Sequence, residues 1–205
     1  MHSVKSGQLG QVVEYFAEWL VSSLAPTIVG SKPSTILTLA DCRYQPLLSM
    51  WRNTGNAVLE GTIIQFKILH SSEDKETVLF FRSDTLEQCI WANEHKLFLE
   101  KLGYPVNSGL EGCLELLKQR FQFCCPHEIG VLLGIPLKDV LGFMGLTDSS
   151  ITCRGEWCIY GHPDDSLALM RRYAQDRESV CSLMGQGLSP CQILRGEQEN
   201  LPQAV

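Results

Sequence analysis

Cys125-Pro126-His127-Glu128 places a thiol, an imidazole and a carboxylate within four consecutive residues, followed by Ile129-Gly130. A neutral imidazole can ligate a metal or move a proton, and a carboxylate beside it can share that work. Pro126 suits the first position of a helix, where no N–H is needed. Glu128 then falls in the first turn, where negative charge complements the helix dipole. Cys125 would be the cap, although cysteine caps poorly. The positive helix end disfavours imidazolium, so a neutral His127 is expected. The same residues also read as packing, with His127 closing a loop and Glu128 answering the dipole. A thiolate–imidazolium pair between His127 and Cys124 or Cys125 is a further chemistry. Sequence neighbours rarely align their side chains, and no supporting Asn or Asp is identifiable, so that pair ranks below packing.

Two cations suggest an anion site. Arg82 ends an apparent strand just before a helix start, where a guanidinium can fork onto phosphate or carboxylate. Lys32 lies in a Gly30-Ser31-Lys32-Pro33-Ser34 turn that could close over the same region. Surface charge at element ends is the plainer reading of both. The turn lacks the upstream glycine of a phosphate-binding P-loop.

Glu128 through Val140 mimics a helix-turn-helix, but its second helix offers Leu137, Lys138, Asp139, Leu141, Gly142, Phe143 and Met144. One lysine beside one aspartate among apolar residues suits packing, not base reading. The net charge of −6 agrees.

The elements that must position these residues follow from pattern. Val12, Val13, Phe16, Trp19, Leu20 and Leu24 predict an amphipathic first helix ending at Ala25-Pro26. A short apolar run spans Ile36 to Leu39. Pro46 to Arg52 predicts a short helix closing near Gly55. Thr62 to His70 and Thr77 to Arg82 predict a hairpin across a polar connection. Asp84 with Glu87 predicts a capping box for a helix reaching Leu102, stopped by Gly103 and Pro105. Ser108 with Glu111 repeats the box before Leu110, Leu114, Leu117 and Phe121. Then come the His127 helix, a second from Pro136, and a short strand over Glu156 to Tyr160. Asp164 and Asp165 open a long last helix carrying Leu167, Met170, Tyr173 and Val180. From about Arg195 a frayed tail is expected, leaving 1–194 as one domain and 195–205 outside it.

A chain of 205 residues with 44% hydrophobic and 20% charged content can bury one sizeable core. No apolar run reads as long enough to cross a bilayer, and the start lacks the order of a signal peptide. A cytoplasmic setting is expected. The nine cysteines (42, 89, 113, 124, 125, 153, 158, 181 and 191) are odd in number and irregularly spaced. They give neither a disulfide framework nor a paired zinc knuckle. Cys153 and Cys158 are a weak metal pattern. Cys89, Cys113 and Cys181 fall in helical patterns and are expected as small core residues.

Ala25-Pro26-Thr27, Gly30 to Ser34, Phe80-Phe81-Arg82, Leu102-Gly103-Tyr104-Pro105, Gly155 to Tyr160 and above all the P-H-E-I-G-x-x-L-G-x-P block from Pro126 to Pro136 resemble an uncharacterised bacterial family. It is a domain-of-unknown-function family of clostridia and other anaerobes, and the resemblance covers about residues 12–190. It carries no established activity. It implies that Lys32, Arg82, His127, Glu128, Trp157 and Tyr160 fall at signature positions. It also implies an anaerobe's cytoplasm and company with flavodoxin-like and iron-handling proteins, hence a redox- or iron/haem-linked role. The chain departs from the family at Cys125 (usually aromatic), Ile135 (usually Tyr) and Cys158 (usually Lys).

The expectation is a single α+β domain, several helices on a small, mostly antiparallel sheet. The leading function is binding of a small anionic ligand or cofactor. His127 would serve as metal or haem ligand or proton carrier, Arg82 and Lys32 would hold the anion, and Trp157 or Tyr160 would form the apolar wall. One alternative is an enzyme with His127 and Glu128 as acid and base, which requires Arg82, Lys32 and His127 to converge on one cleft. Another is an adaptor for a flavodoxin-like redox partner, which predicts an exposed apolar patch around Phe143-Met144 rather than a pocket.

Overall fold

The computed structural model describes residues 2–197, with side chains from residue 10 onward. The frayed tail expected from Arg195 lies, past residue 197, outside the described residues. The chain is an α+β protein. Its elements are α1 (His2–Val29), β1 (Ser34–Ala40), α2 (Leu47–Leu59), β2 (Gln65–Ser71), β3 (Lys75–Phe81), α3 (Ser83–Trp91) and α4 (Asn93–Lys101). A 3-10 turn (Val106–Ser108) leads into α5 (Gly109–Phe121), α6 (Ile129–Leu132), α7 (Leu137–Phe143), β4 (Ile151–Arg154), β5 (Cys158–Tyr160), α8 (Asp164–Gly185) and α9 (Pro190–Leu194).

β3 is the middle of an antiparallel sheet ordered β1-β3-β2. Its run Val78-Leu79-Phe80-Phe81 is buried throughout, as a strand covered on both faces must be. Val78 and Phe80 face one core, with Phe16, Leu20, Leu24 and Ile28 of α1, Trp51 of α2 and Val180 of α8. Leu79 and Phe81 face the other, with Leu86, Ile90, Leu114, Leu117, Val131 and Val140 from α3 to α7. The period of two in one strand thus divides the molecule into two helical layers. β4 and β5 form a separate hairpin.

Several expectations are corrected. α1 does not stop at Pro26 but carries it internally and continues to Val29. Proline costs about 3 kcal/mol inside a helix. Burial of Ile28 and Val29, roughly 1.5–3 kcal/mol each, offsets it. α1 also holds Gly10–Val29, a 20-residue stretch long and apolar enough to span a membrane, contrary to the expectation of none; 56% of it is buried inside the fold. α2 runs through Gly55, whose missing Cβ leaves room for the Trp51 ring one turn back. The helix expected from Asp84 to Leu102 breaks at Ala92, with ψ 130°, into α3 and α4. Neither expected capping box forms: Asp84 pairs with Arg82, and Glu111 pairs with Lys67. Cys113 is a core residue, Cys89 is half-buried, and Cys181 is exposed beside inward-facing Val180.

Candidate functional site

Pro126 does not open a regular helix. Residues 126–128 form a turn whose carbonyls accept from N–H groups three residues on: Pro126 from Ile129, His127 from Gly130 and Glu128 from Val131, at 3.0–3.2 Å. α6 is then a single turn, so its dipole is small. Ser34 Oγ donates to the Leu132 carbonyl at 2.6 Å and fixes α6 to the start of β1.

This turn sends its two chemical side chains in opposite directions. Glu128 is 4% exposed. Its Oε1 accepts from Tyr104 Oη at 3.1 Å and from Arg120 Nη1. Arg120 also donates to the Leu102 carbonyl and lies over the Tyr104 ring, 4.8 Å from its centroid. Burial, with Glu128 adding to it, pushes the Tyr104 hydroxyl pKa up. Glu128 is therefore an internal clamp. His127 is exposed and meets the Phe143 ring edge-on, with centroids 4.9 Å apart.

His127 lines an open groove of about 440 Å³. Its walls are Ile129, Gly130 and Leu133 at α6, Ile135, Asp139, Val140 and Phe143 at α7, Trp157 and Cys158 at the β4–β5 hairpin, and Cys125. Gly130 lets α6 and α7 approach, since a Cβ there would lie 2.8 Å from Val140 Cγ2.

Asp139 holds the hairpin in place. At 1% exposure it accepts from Trp157 Nε1 (2.9 Å), the Tyr160 N–H (2.8 Å), Ser166 Oγ (2.6 Å) and Lys138 Nζ (2.8 Å). Burial alone would raise its pKa. These four donors outweigh burial and bring the carboxyl below its usual range. Lys138 also donates to the Tyr160 carbonyl at 3.0 Å.

The other sequence-derived candidates stand apart from the groove lining. Arg82 is committed: Nε and Nη2 donate to Asp84 at 3.1 and 2.5 Å, and Nη1 to the Ile28 carbonyl at 3.1 Å, tying the end of α1 to the start of α3. Lys32 Nζ lies 5.4 Å from the Tyr173 ring centroid, and that ring is 6.4 Å from Trp157. Burial lowers the Lys32 pKa; Glu156 opposes the shift and Arg177 adds to it. Tyr160 packs its ring against Gly142 of α7. His127 and Trp157 thus share the groove, Lys32 is one ring removed from Trp157, and Arg82, Glu128 and Tyr160 serve the framework.

Sequence reasoning missed Asp139 as a hub, Arg120 and Tyr104 as partners of Glu128, and Cys158 as a groove residue. A lone acid on the apolar helix Leu137–Phe143 was the available signal for Asp139, because a buried carboxylate must find donors. Among the described residues no three His, Cys, Asp or Glu side chains gather as a metal-holding group.

No curated protein and no solved structure matches the chain. Residues 20–194, from the buried half of α1 to the last residue of α9, match one family, and the chain belongs to it: protein of unknown function (DUF3793).

Proposed function

We infer that the protein binds a small ligand or cofactor with an apolar body in the α6–α7–hairpin groove, with His127 as its polar contact at the mouth. The carrying observation is an exposed imidazole on a groove of about 440 Å³ otherwise walled mainly by Ile129, Leu133, Ile135, Val140, Phe143 and Trp157. That volume is within the usual range for ligand sites. Lys32 is the better candidate for an anionic moiety. Arg82 has all its nitrogens engaged, whereas Lys32 has no carboxylate within 4.0 Å among the described residues. A metal- or haem-bearing cofactor ligated by His127, and the redox- or iron-linked cytoplasmic role that the family resemblance suggests, belong to the same proposal. The acid–base reading is weaker, because Glu128 is turned inward and engaged by Arg120 and Tyr104.

The test is purification without oxygen, followed by an absorption spectrum and metal analysis, then titration with haem and with flavin. A chromophore or stoichiometric metal, bound by wild type and lost in His127→Ala with the melting temperature unchanged, is the expected result. A protein that stays colourless and metal-free and takes up neither cofactor overturns the cofactor form.

One observation favours a second reading. Phe143, on the groove wall, and Leu146, three residues further along the chain, are 55% and 57% exposed, as an adaptor for a flavodoxin-like partner would require. Phe143→Ser that abolishes partner capture while His127→Ala does not would favour it.

A further inference from the structure

Cys158 stands where the hairpin meets the groove. β4 and β5 pair with Arg154 directly opposite Cys158, so the two side chains are cross-strand neighbours. Arg154 Nη1 lies 3.4 Å from Cys158 Sγ and donates toward it. Among the described residues Arg154 has no carboxylate within 4.0 Å, so its charge is not neutralised elsewhere. A guanidinium interacts more strongly with a sulfur anion than with a thiol, and the anion is the nucleophile.

The neighbouring thiols are placed differently. Cys125 also lines the groove, but burial, then Cys124 and Glu128, push its thiol up. Burial pushes Cys89 up to about 11, and its sulfur donates to the Val131 carbonyl at 3.2 Å. Cys113 is 1% exposed. Cys158 combines a half-buried place on the lining, beside Trp157, with a guanidinium at its sulfur. The apolar walls, with the Trp157 and Phe143 rings, suit a flat, uncharged electrophile.

We propose that Cys158, held against Arg154 on the groove lining, captures planar α,β-unsaturated carbonyl compounds of the quinone class by conjugate addition. This rests on the groove being a ligand site. The sulfur anion adds to the ring carbon β to a carbonyl, and a C–S bond forms. The C=C electron pair moves onto the carbonyl oxygen, which takes a proton from water. For a quinone, transfer of the ring proton to the second oxygen completes a hydroquinone thioether. No group leaves and no outside oxidant or reductant is needed, so the product mass is protein plus one intact quinone.

The probe is menadione (2-methyl-1,4-naphthoquinone), added to the full chain without oxygen near neutral pH and followed by intact mass and peptide mapping. The expected result is one adduct at Cys158, formed about tenfold faster than at exposed Cys42, Cys124, Cys181 or Cys191. Cys158→Ser should remove it. Arg154→Gln should slow it by about tenfold with an unchanged melting temperature. Adducts spread evenly over the exposed thiols, or an Arg154→Gln rate equal to wild type, overturn the proposal. Calorimetric titration of Cys158→Ser with 1,4-dimethoxynaphthalene, which cannot add, tests the groove separately. Binding of this analogue without selective capture overturns the Cys158 proposal and leaves the groove reading standing. Selective, Arg154-dependent capture without analogue binding overturns the apolar-groove reading and, with it, the proposal that the groove selects the quinone.

Discussion

His127 and Glu128 are adjacent in the chain, yet they face opposite environments, and their substitutions should separate accordingly. His127→Ala removes an exposed ring and should change stability by no more than about 0.5 kcal/mol. Glu128→Ala leaves Arg120 and buried Tyr104 without their acceptor and should cost about 2 kcal/mol. Urea unfolding of the two variants tests this; equal losses would refute the clamp. Asp139 gives the seating of the hairpin a pH dependence. Its folded carboxyl titrates below the unfolded value near 3.9. Its stabilisation is therefore complete above about pH 4 and is lost as pH falls through the folded value. The melting-temperature gap between wild type and Asp139→Asn should be wide at pH 7 and narrow progressively below about pH 4. A gap constant down to pH 2 would show that charge is not what Asp139 contributes. None of these partnerships was legible beforehand: Arg120 and Tyr104 reach Glu128 from other segments, and no local pattern encodes that meeting.

At the scale of elements, periodicity gave β2, β3, α5 and α8 close to their observed spans, because their buried faces repeat regularly. It failed where tertiary contact overrides a local signal. Pro26 and Gly55 signal helix ends, but packing against the sheet and under Trp51 carries both helices past them. The P-H-E-I-G block was legible as a special segment but not as a 3-10-like turn, since its short bonds depend on Ser34, Val140 and Glu128's partners holding it. Glycine in α7 has the same origin. A Cβ on Gly142 would run directly into the Tyr160 ring, and that ring spaces the hairpin from α7. Gly142→Ala should therefore destabilise the fold by about 1–3 kcal/mol through overpacking, despite alanine's better helix propensity. Thermal unfolding decides it: a raised melting temperature would mean that Tyr160 yields at no cost and that the hairpin is not seated by this contact. Displacing the hairpin would also move Trp157 and Cys158, so under the proposed ligand-binding reading the same variant should weaken binding through a shifted wall, and His127→Ala through lost contact alone.

For the whole molecule, the decisive question is what α1 is for. Gly10–Val29 passes a length-and-composition test for a membrane span, but it includes Glu14 and Glu18. Phe16, Leu20, Leu24 and Ile28, spaced by four residues, are all fully buried against Val78 and Phe80 of the sheet, Trp51 of α2 and Val180 of α8. Were α1 withdrawn into a bilayer, that face of the sheet would lose its cover and one of the two cores would open. A core helix and a lipid-facing helix respond oppositely to a cavity. Leu24→Ala in a packed core should cost about 2–5 kcal/mol, from lost burial and the void left behind. In a span, leucine and alanine are both tolerated and the rest of the fold would melt unchanged. Unfolding of Leu24→Ala followed by the fluorescence of Trp51, which sits across this core from α1, tests the distinction directly. A large drop in the midpoint assigns α1 to the core, whereas an unchanged midpoint would mean that the sheet face has another cover and that α1 is free to act elsewhere.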